Sequence, residues 1–169
     1  MTKSDRRRVA ATHAIRIAVP AALFVLLLVG FVVLPRPKFA ALVGLHSEES
    51  AHTEGRLVYA QHCASCHGVK LEGQPNWKQR LASGRLPAPP HDADGHTWHH
   101  ADSVLFDITK RGTAAVVGGG YESDMPGFDG VLTDKQIRAA LAFIKSTWPQ
   151  RERRHQERIT KQSMRQVNR

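Results

Sequence analysis

Apolar positions along this chain fall into stretches of different period, and each period predicts a different element. Residues 17–34 (IAVPAALFVLLLVGFVVL) are apolar on all sides and carry no charge over 18 positions. At about 1.5 Å per helical residue the run spans roughly 27 Å, close to a bilayer's hydrocarbon thickness, which predicts a single N-terminal transmembrane helix. Pro20 and Gly30, near its ends, are tolerated in such a helix. A second apolar side, Leu57, Val58 and Tyr59, predicts a helix over 55–66. A third helix is predicted over 102–111, where Val104, Leu105 and Ile108 have helical spacing and Gly112 is a C-terminal stop. The best-defined helix follows Thr133-Asp134-Lys135-Gln136, which reads as a capping box. Its stripe is Ile137, Ala140, Leu141 and Ile144, with Phe143 at the edge and Pro149 as the stop. No strand pattern competes and no internal repeat is present, so the predicted fold class is all-α.

The polar segments divide the chain. Residues 35–53 open with Pro35 and Pro37 and end in a polar, acidic run, which predicts a linker. If flexible, it has a typical reach of about 25 Å. Residues 54–149 form the folded domain, with a long irregular section that holds Pro75, Pro87, Pro89 and Pro90 and a loop at Gly118-Gly119-Gly120. A domain with so many loops has little apolar core, so a bound cofactor is expected to supply much of it and the apo-domain to fold poorly.

Charge changes the picture at both ends. The formal charge is +9. Residues 1–16 contribute +4 and residues 150–169 contribute +5, so the stretch between is neutral. Nucleic-acid binding, which the high overall basicity suggests, therefore has little support. Lys3, Arg6, Arg7, Arg8 and Arg16 keep the N-terminus cytoplasmic by the positive-inside rule, and the rest is exported. A cleaved signal peptide has an apolar core of about 7–15 residues and a small-x-small cleavage site. Here the run is longer and leads into Pro35-Arg36-Pro37-Lys38, which favours an uncleaved anchor. The expected location is the bacterial cytoplasmic membrane, single-pass, with the domain facing the periplasm or exterior. The basic tail 150–169 is expected to be a frayed or solvated extension. Contact with anionic headgroups or an acidic partner is its second reading.

Candidate chemistry centres on Cys63-Ala64-Ser65-Cys66-His67. Two thiols three positions apart can each add across a porphyrin vinyl group, and the next histidine can then give an imidazole nitrogen to iron. The chain has only these two cysteines, so neither a structural disulfide elsewhere nor a four-ligand thiolate zinc site is available. A thioredoxin-like redox pair would need a βαβ pattern, which is missing. One covalent haem c with its iron is the expected cofactor.

Over residues 55–148 the chain resembles the class I (mitochondrial-type) cytochrome c family. The resemblance rests on Cys63–His67 with Gly68, on Gly55 and Tyr59 ahead of the motif, on the terminal helix with Phe143, and on Ser123-Asp124-Met125-Pro126-Gly127-Phe128. It implies a small helical fold around one haem, in which Gly55 lets the first helix cross the last closely, near Phe143. It also implies that Met125 is the second axial ligand beside His67, and that a proline-adjacent carbonyl accepts a hydrogen bond from His67. Pro75, Pro87, Pro89 and Pro90 all remain candidates for that carbonyl.

The loop 91–100, with His91, His96, His99 and His100, departs from the simplest members of the family. It reads as a cover over one haem edge, with Trp98 or a neighbour bonding a propionate. It also reads as a copper or zinc site formed by Asp92, His96, His99 and His100, or as the source of a histidine that replaces Met125. His/Met ligation leaves no open iron position, so the implied function is one-electron transfer, not enzymatic catalysis. The expected partners are redox proteins in or at the membrane: a quinol-oxidising complex, a terminal oxidase or a dehydrogenase. The alternatives are a haem subunit of a larger oxidoreductase, a gas-binding haem protein and a copper-handling protein.

Overall fold

A computed structural model describes the backbone of residues 37–169 and side chains from Glu49 onward. The basic N-terminus (1–16) and the apolar run 17–34, expected to span a membrane, lie outside the described residues. Among the described residues no helix is long and apolar enough to cross a membrane. The chain divides into units 1–45 and 46–169, and the packing below is that of the second. Among the described residues every regular element is helical, in agreement with the predicted all-α class.

Helix α1 (Pro37–His62) is longer than expected. Residues 37–53, expected as a flexible linker, belong to it. Pro37 occupies the first helical position, where a missing amide hydrogen costs nothing and the fixed φ suits the helix. No proline follows before His62, and Ala40, Ala41, Leu42 and Leu45 favour the helical state. In its last turns α1 buries Val58 and Tyr59 on two sides. Leu57, expected in the apolar side, is 54% exposed, because at about 100° per residue it points away from the arc that Val58 and Tyr59 span.

A short α2 (Ala64–His67) follows and ends at Gly68, whose φ of 84° favours glycine. Residues 68–96 run without regular helix to a 3-10 turn (Thr97–His99). Helices α3 (Asp102–Arg111) and α4 (Thr113–Val117) come next, and α5 (Asp134–Ser146) crosses α1. The capping box on α5 forms as predicted, with Thr133 accepting from the Gln136 amide and Gln136 accepting in return. Two apolar clusters result. Val58, Leu132, Ile137 and Ala140 form one, and Tyr59, Ala64, Leu71, Ile144 and Trp148 form the other.

The crossing of α1 on α5 is held at Gly55. A Cβ there would run into the carbonyl of Ala139 and lie 3.1 Å from the Phe143 Cβ. Hydrogen alone lets the two backbones meet.

The basic tail is neither frayed nor solvated all round. Residues Gln150–Val167 form α6, which starts at Pro149 and packs on the 3-10 turn. The charge count hid this because the docked face is polar. Glu152 and Gln156 are buried at 2% and 1% exposure, with His155, Ile159, Thr160 and Ser163 half-buried beside them. The spacing of these six is helical. The Gln156 amide nitrogen donates to the His100 carbonyl (3.3 Å), the Asp102 carboxylate (2.6 Å) and the Thr160 hydroxyl (3.1 Å).

Candidate haem-attachment site

Cys63 and His67 are joined by one helical turn, in which the His67 amide donates to the Cys63 carbonyl at 2.9 Å. Cys63 is partly buried and Cys66 is exposed, and both are free thiols. Burial, then the neighbouring Cys66, pushes the Cys63 thiol up to about 11. Cys63 is therefore held as a thiol with its sulfur inside, and the sulfur of Cys66 lies at the surface. Tyr59, one turn earlier, donates its hydroxyl to the Gly68 carbonyl at 2.7 Å and so clamps both ends of the motif. Burial and nearby Cys63, Glu72 and Asp92 raise that phenol's pKa, which keeps it a donor.

His67 is 6% exposed, and its Nδ1 lies 2.8 Å from the Pro89 carbonyl oxygen. A carbonyl can only accept, so Nδ1 must carry the hydrogen, which leaves the Nε2 lone pair free for a metal. Among the four candidate prolines, Pro89 is the one whose carbonyl meets His67. Burial lowers the His67 pKa, with the Pro89 bond opposing, so the neutral, ligating form is favoured. The Pro89 segment is itself fastened. The Gln74 amide donates to Ala88 O at 2.8 Å, and the His91 amide donates to Leu71 O at 2.8 Å.

His91 stands apart from the other loop histidines. Its ring stacks on His67 with centroids 3.9 Å apart and planes 23° from parallel. Its Nδ1 pairs with the Thr97 hydroxyl at 2.8 Å, and its carbonyl accepts from the Trp148 indole at 2.7 Å. Its place two residues after Pro89, whose carbonyl meets His67, brings it there.

The remaining loop histidines serve packing. His96 stacks on Trp77 at 5.4 Å, and His99 stacks on Trp98 at 3.7 Å. His155 of α6 meets both Trp98 and His99 edge-on. Among the described residues no group of three or more histidine, cysteine or carboxylate side chains could hold a metal ion, so the alternative copper or zinc site does not assemble. The Trp98 indole donates to Ala93 O at 3.3 Å, inside the loop.

Met125 lies in a separate loop whose position is fixed by backbone contact. The Phe128 and Asp129 amides donate to Thr109 O and Lys110 O at the end of α3. Gly112 and Gly127 face each other there, and a Cβ on Gly112 would fall 2.8 Å from the Gly127 nitrogen. On the other side Arg85 pairs with Asp124 and Glu122. The Met125 sulfur accepts a hydrogen bond from the Thr113 hydroxyl at 3.4 Å. Thr113 was not singled out from the sequence, because nothing local links it to a residue twelve positions on.

These residues fit a covalent haem: two free thiols at the right spacing, a buried imidazole with its metal-binding nitrogen unpaired, and an apolar surround. The family model for cytochrome c matches residues 52–148. Among curated proteins, a nitrite reductase from Stutzerimonas stutzeri is 26% identical over 121 residues, covering 63% of this chain and 19% of that protein. Cytochrome c-555 from Prosthecochloris aestuarii is 27% identical over 96 residues, covering 53% and 81%. The chain thus spans about a fifth of the first relative and most of the second. No solved structure matches it significantly. With more than half its length matched, the chain belongs to the cytochrome c family, and its cofactor is covalently bound haem c with iron.

Proposed function

We propose that this protein is a membrane-tethered one-electron carrier. Cys63 and Cys66 would attach the haem, His67 and Met125 would hold its iron, and residues 17–34 would anchor the chain with its haem domain outside the cytoplasm. Haem c supplies a ferric/ferrous couple, and His/Met ligation places its potential high. The observation that carries this reading is the Nδ1–H of His67 on the Pro89 carbonyl. It fixes the tautomer and ring plane before any metal is bound, as second-shell partners of ligating histidines do. Thr113 does the corresponding work on Met125, since a hydroxyl can occupy one sulfur lone pair and leave the other for iron. With both axial positions filled by protein, no site remains for a substrate, and the protein passes electrons between redox complexes in or at the membrane.

The match to a segment of a much longer nitrite reductase favours one further reading: service as the haem domain of a larger oxidoreductase complex. Absorption spectroscopy of the purified full chain separates a closed from an open iron site. The oxidised protein should show the weak far-red band of an iron–methionine bond, and the reduced protein should bind carbon monoxide poorly. Met125→Ala should abolish the band and admit carbon monoxide. A wild-type spectrum without the band, with ready carbon monoxide binding, would overturn the carrier. Co-purification from membranes in mild detergent then identifies a stable complex.

A further inference from the structure

Helix α6 lies wholly beyond residue 148, where the family match ends, so the common fold does not account for it. Its docked face is Glu152, His155, Gln156, Ile159, Thr160 and Ser163. At about 100° per residue, Arg151, Arg154, Arg158, Lys161 and Arg165 fall on the opposite side. All five are exposed. They make a straight basic stripe about 21 Å long, one residue wide, from a rise of about 1.5 Å per residue. Glu152, the nearest acid, is buried and paired with Arg151 at 2.6 Å, and Glu157 is the other acid on the helix.

We propose that this stripe rests on an anionic lipid surface and orients the haem domain above the membrane. Three observations favour lipid over protein as the occupant. The stripe contains no aromatic or aliphatic side chain, whereas protein interfaces centre on such anchors in desolvated pockets. Four of its five residues are arginine, whose planar fork pairs bidentately with phosphate. Headgroups diffuse laterally and can meet five long, mobile side chains in a row, which a fixed acidic surface does only with matched spacing. The stripe's attraction is electrostatic and modest for each residue. It therefore orients a domain that is already tethered, where the effective concentration is high, and the proposal rests on the anchor reading given above.

The test uses the haem-loaded full chain in vesicles of phosphatidylcholine alone or with about one-third phosphatidylglycerol, an anionic content that draws basic segments. Labelling by phenylglyoxal, an uncharged arginine reagent, is followed by mass spectrometry. Arg80 and Arg111, exposed outside α6, serve as references. On anionic vesicles Arg154, Arg158 and Arg165 should label about fivefold more slowly than on neutral ones, and salt at about 0.5 M should remove the difference. Combined Arg154→Gln, Lys161→Gln and Arg165→Gln should restore Arg158 labelling without changing helix content, because these side chains face solvent. Equal labelling on both vesicles would overturn the proposal and leave a solvated face. Protection seen only in native membranes, and lost when their proteins are removed, would overturn it in favour of an acidic protein. The anchor reading fails separately, by release of the chain from both vesicle types in an alkaline wash.

Discussion

Helix α1 meets α5 through a missing side chain, whereas α6 meets the Thr97–His99 turn through buried polar groups. At the first contact Gly55 brings backbone against backbone, flanked by Tyr59, Phe143 and Ile144. At the second, Gln156 spreads its amide hydrogens over His100, Asp102 and Thr160 while aromatic edges of His155 meet Trp98 and His99. The difference is one of tolerance. A close backbone crossing admits no extra atom, because its walls cannot move without shifting both helices. A hydrogen-bonded contact accepts changes of shape but loses heavily when one partner is removed, since the others stay buried without it.

Three measurements sharpen that contrast. Gly55→Val should have the largest effect, about 3 kcal/mol or a failure to accumulate haem-loaded protein, as in severe overpacking. Urea unfolding and haem-to-protein ratio would read it, and an unchanged midpoint would mean that the two backbones are not in contact. Gln156→Ala should cost about 1–3 kcal/mol, because the His100 carbonyl loses its Gln156 donor inside the contact, while Asp102 keeps Lys145. Its signature is faster hydrogen exchange in α6 with the α1 and α5 amides still protected. Uniform loss across all three helices would show that α6 belongs to the core. The smallest effect is expected from the titration of His96 and His100. Burial lowers the pKa of His96, with His100, His99 and Lys78 adding to it, and burial together with His99 lowers that of His100. The folded protein then takes up these protons less readily than the unfolded chain, so stability present above the ordinary histidine pKa of about 6.5 is lost as pH falls below it. The share of His96 should be shallow because its side chain is still exposed to solvent. His96→Gln should remove only that share, since His91, held well below the ordinary value by burial and then by His67 and His96, keeps the rest. A urea midpoint that rises between pH 7 and pH 5 would refute the assignment.

What could be read from residues alone followed the range of each signal. Cys63–His67 and the Thr133–Gln136 cap are local, and both were legible as motifs. Helix α3 begins and ends where its spacing and Gly112 predicted. The choice among Pro75, Pro87, Pro89 and Pro90 was not legible, because it depends on a contact 22 residues from His67. The histidine loop offered a ligand cluster as a second reading because histidines next to one another suggest metal. Their ring partners, Trp77 and His155, lie at distances along the chain that no pattern reveals. Helix α6 was hidden by its composition: arginine content implied a solvated extension, and the buried positions that contradict this are Glu152 and Gln156, two polar residues.

The Gly55–Ala139 contact has a consequence for the order of assembly. It joins the beginning of the domain to its end, and closing so long a loop is slow compared with forming any single helix. The Trp148 indole, which fastens the His91 carbonyl beside His67, arrives later still. During synthesis the segment bearing Cys63 and Cys66 therefore emerges well before the residues that will enclose it. Both thiols are open to reaction in that interval, before Trp148 and the last helices cover the motif.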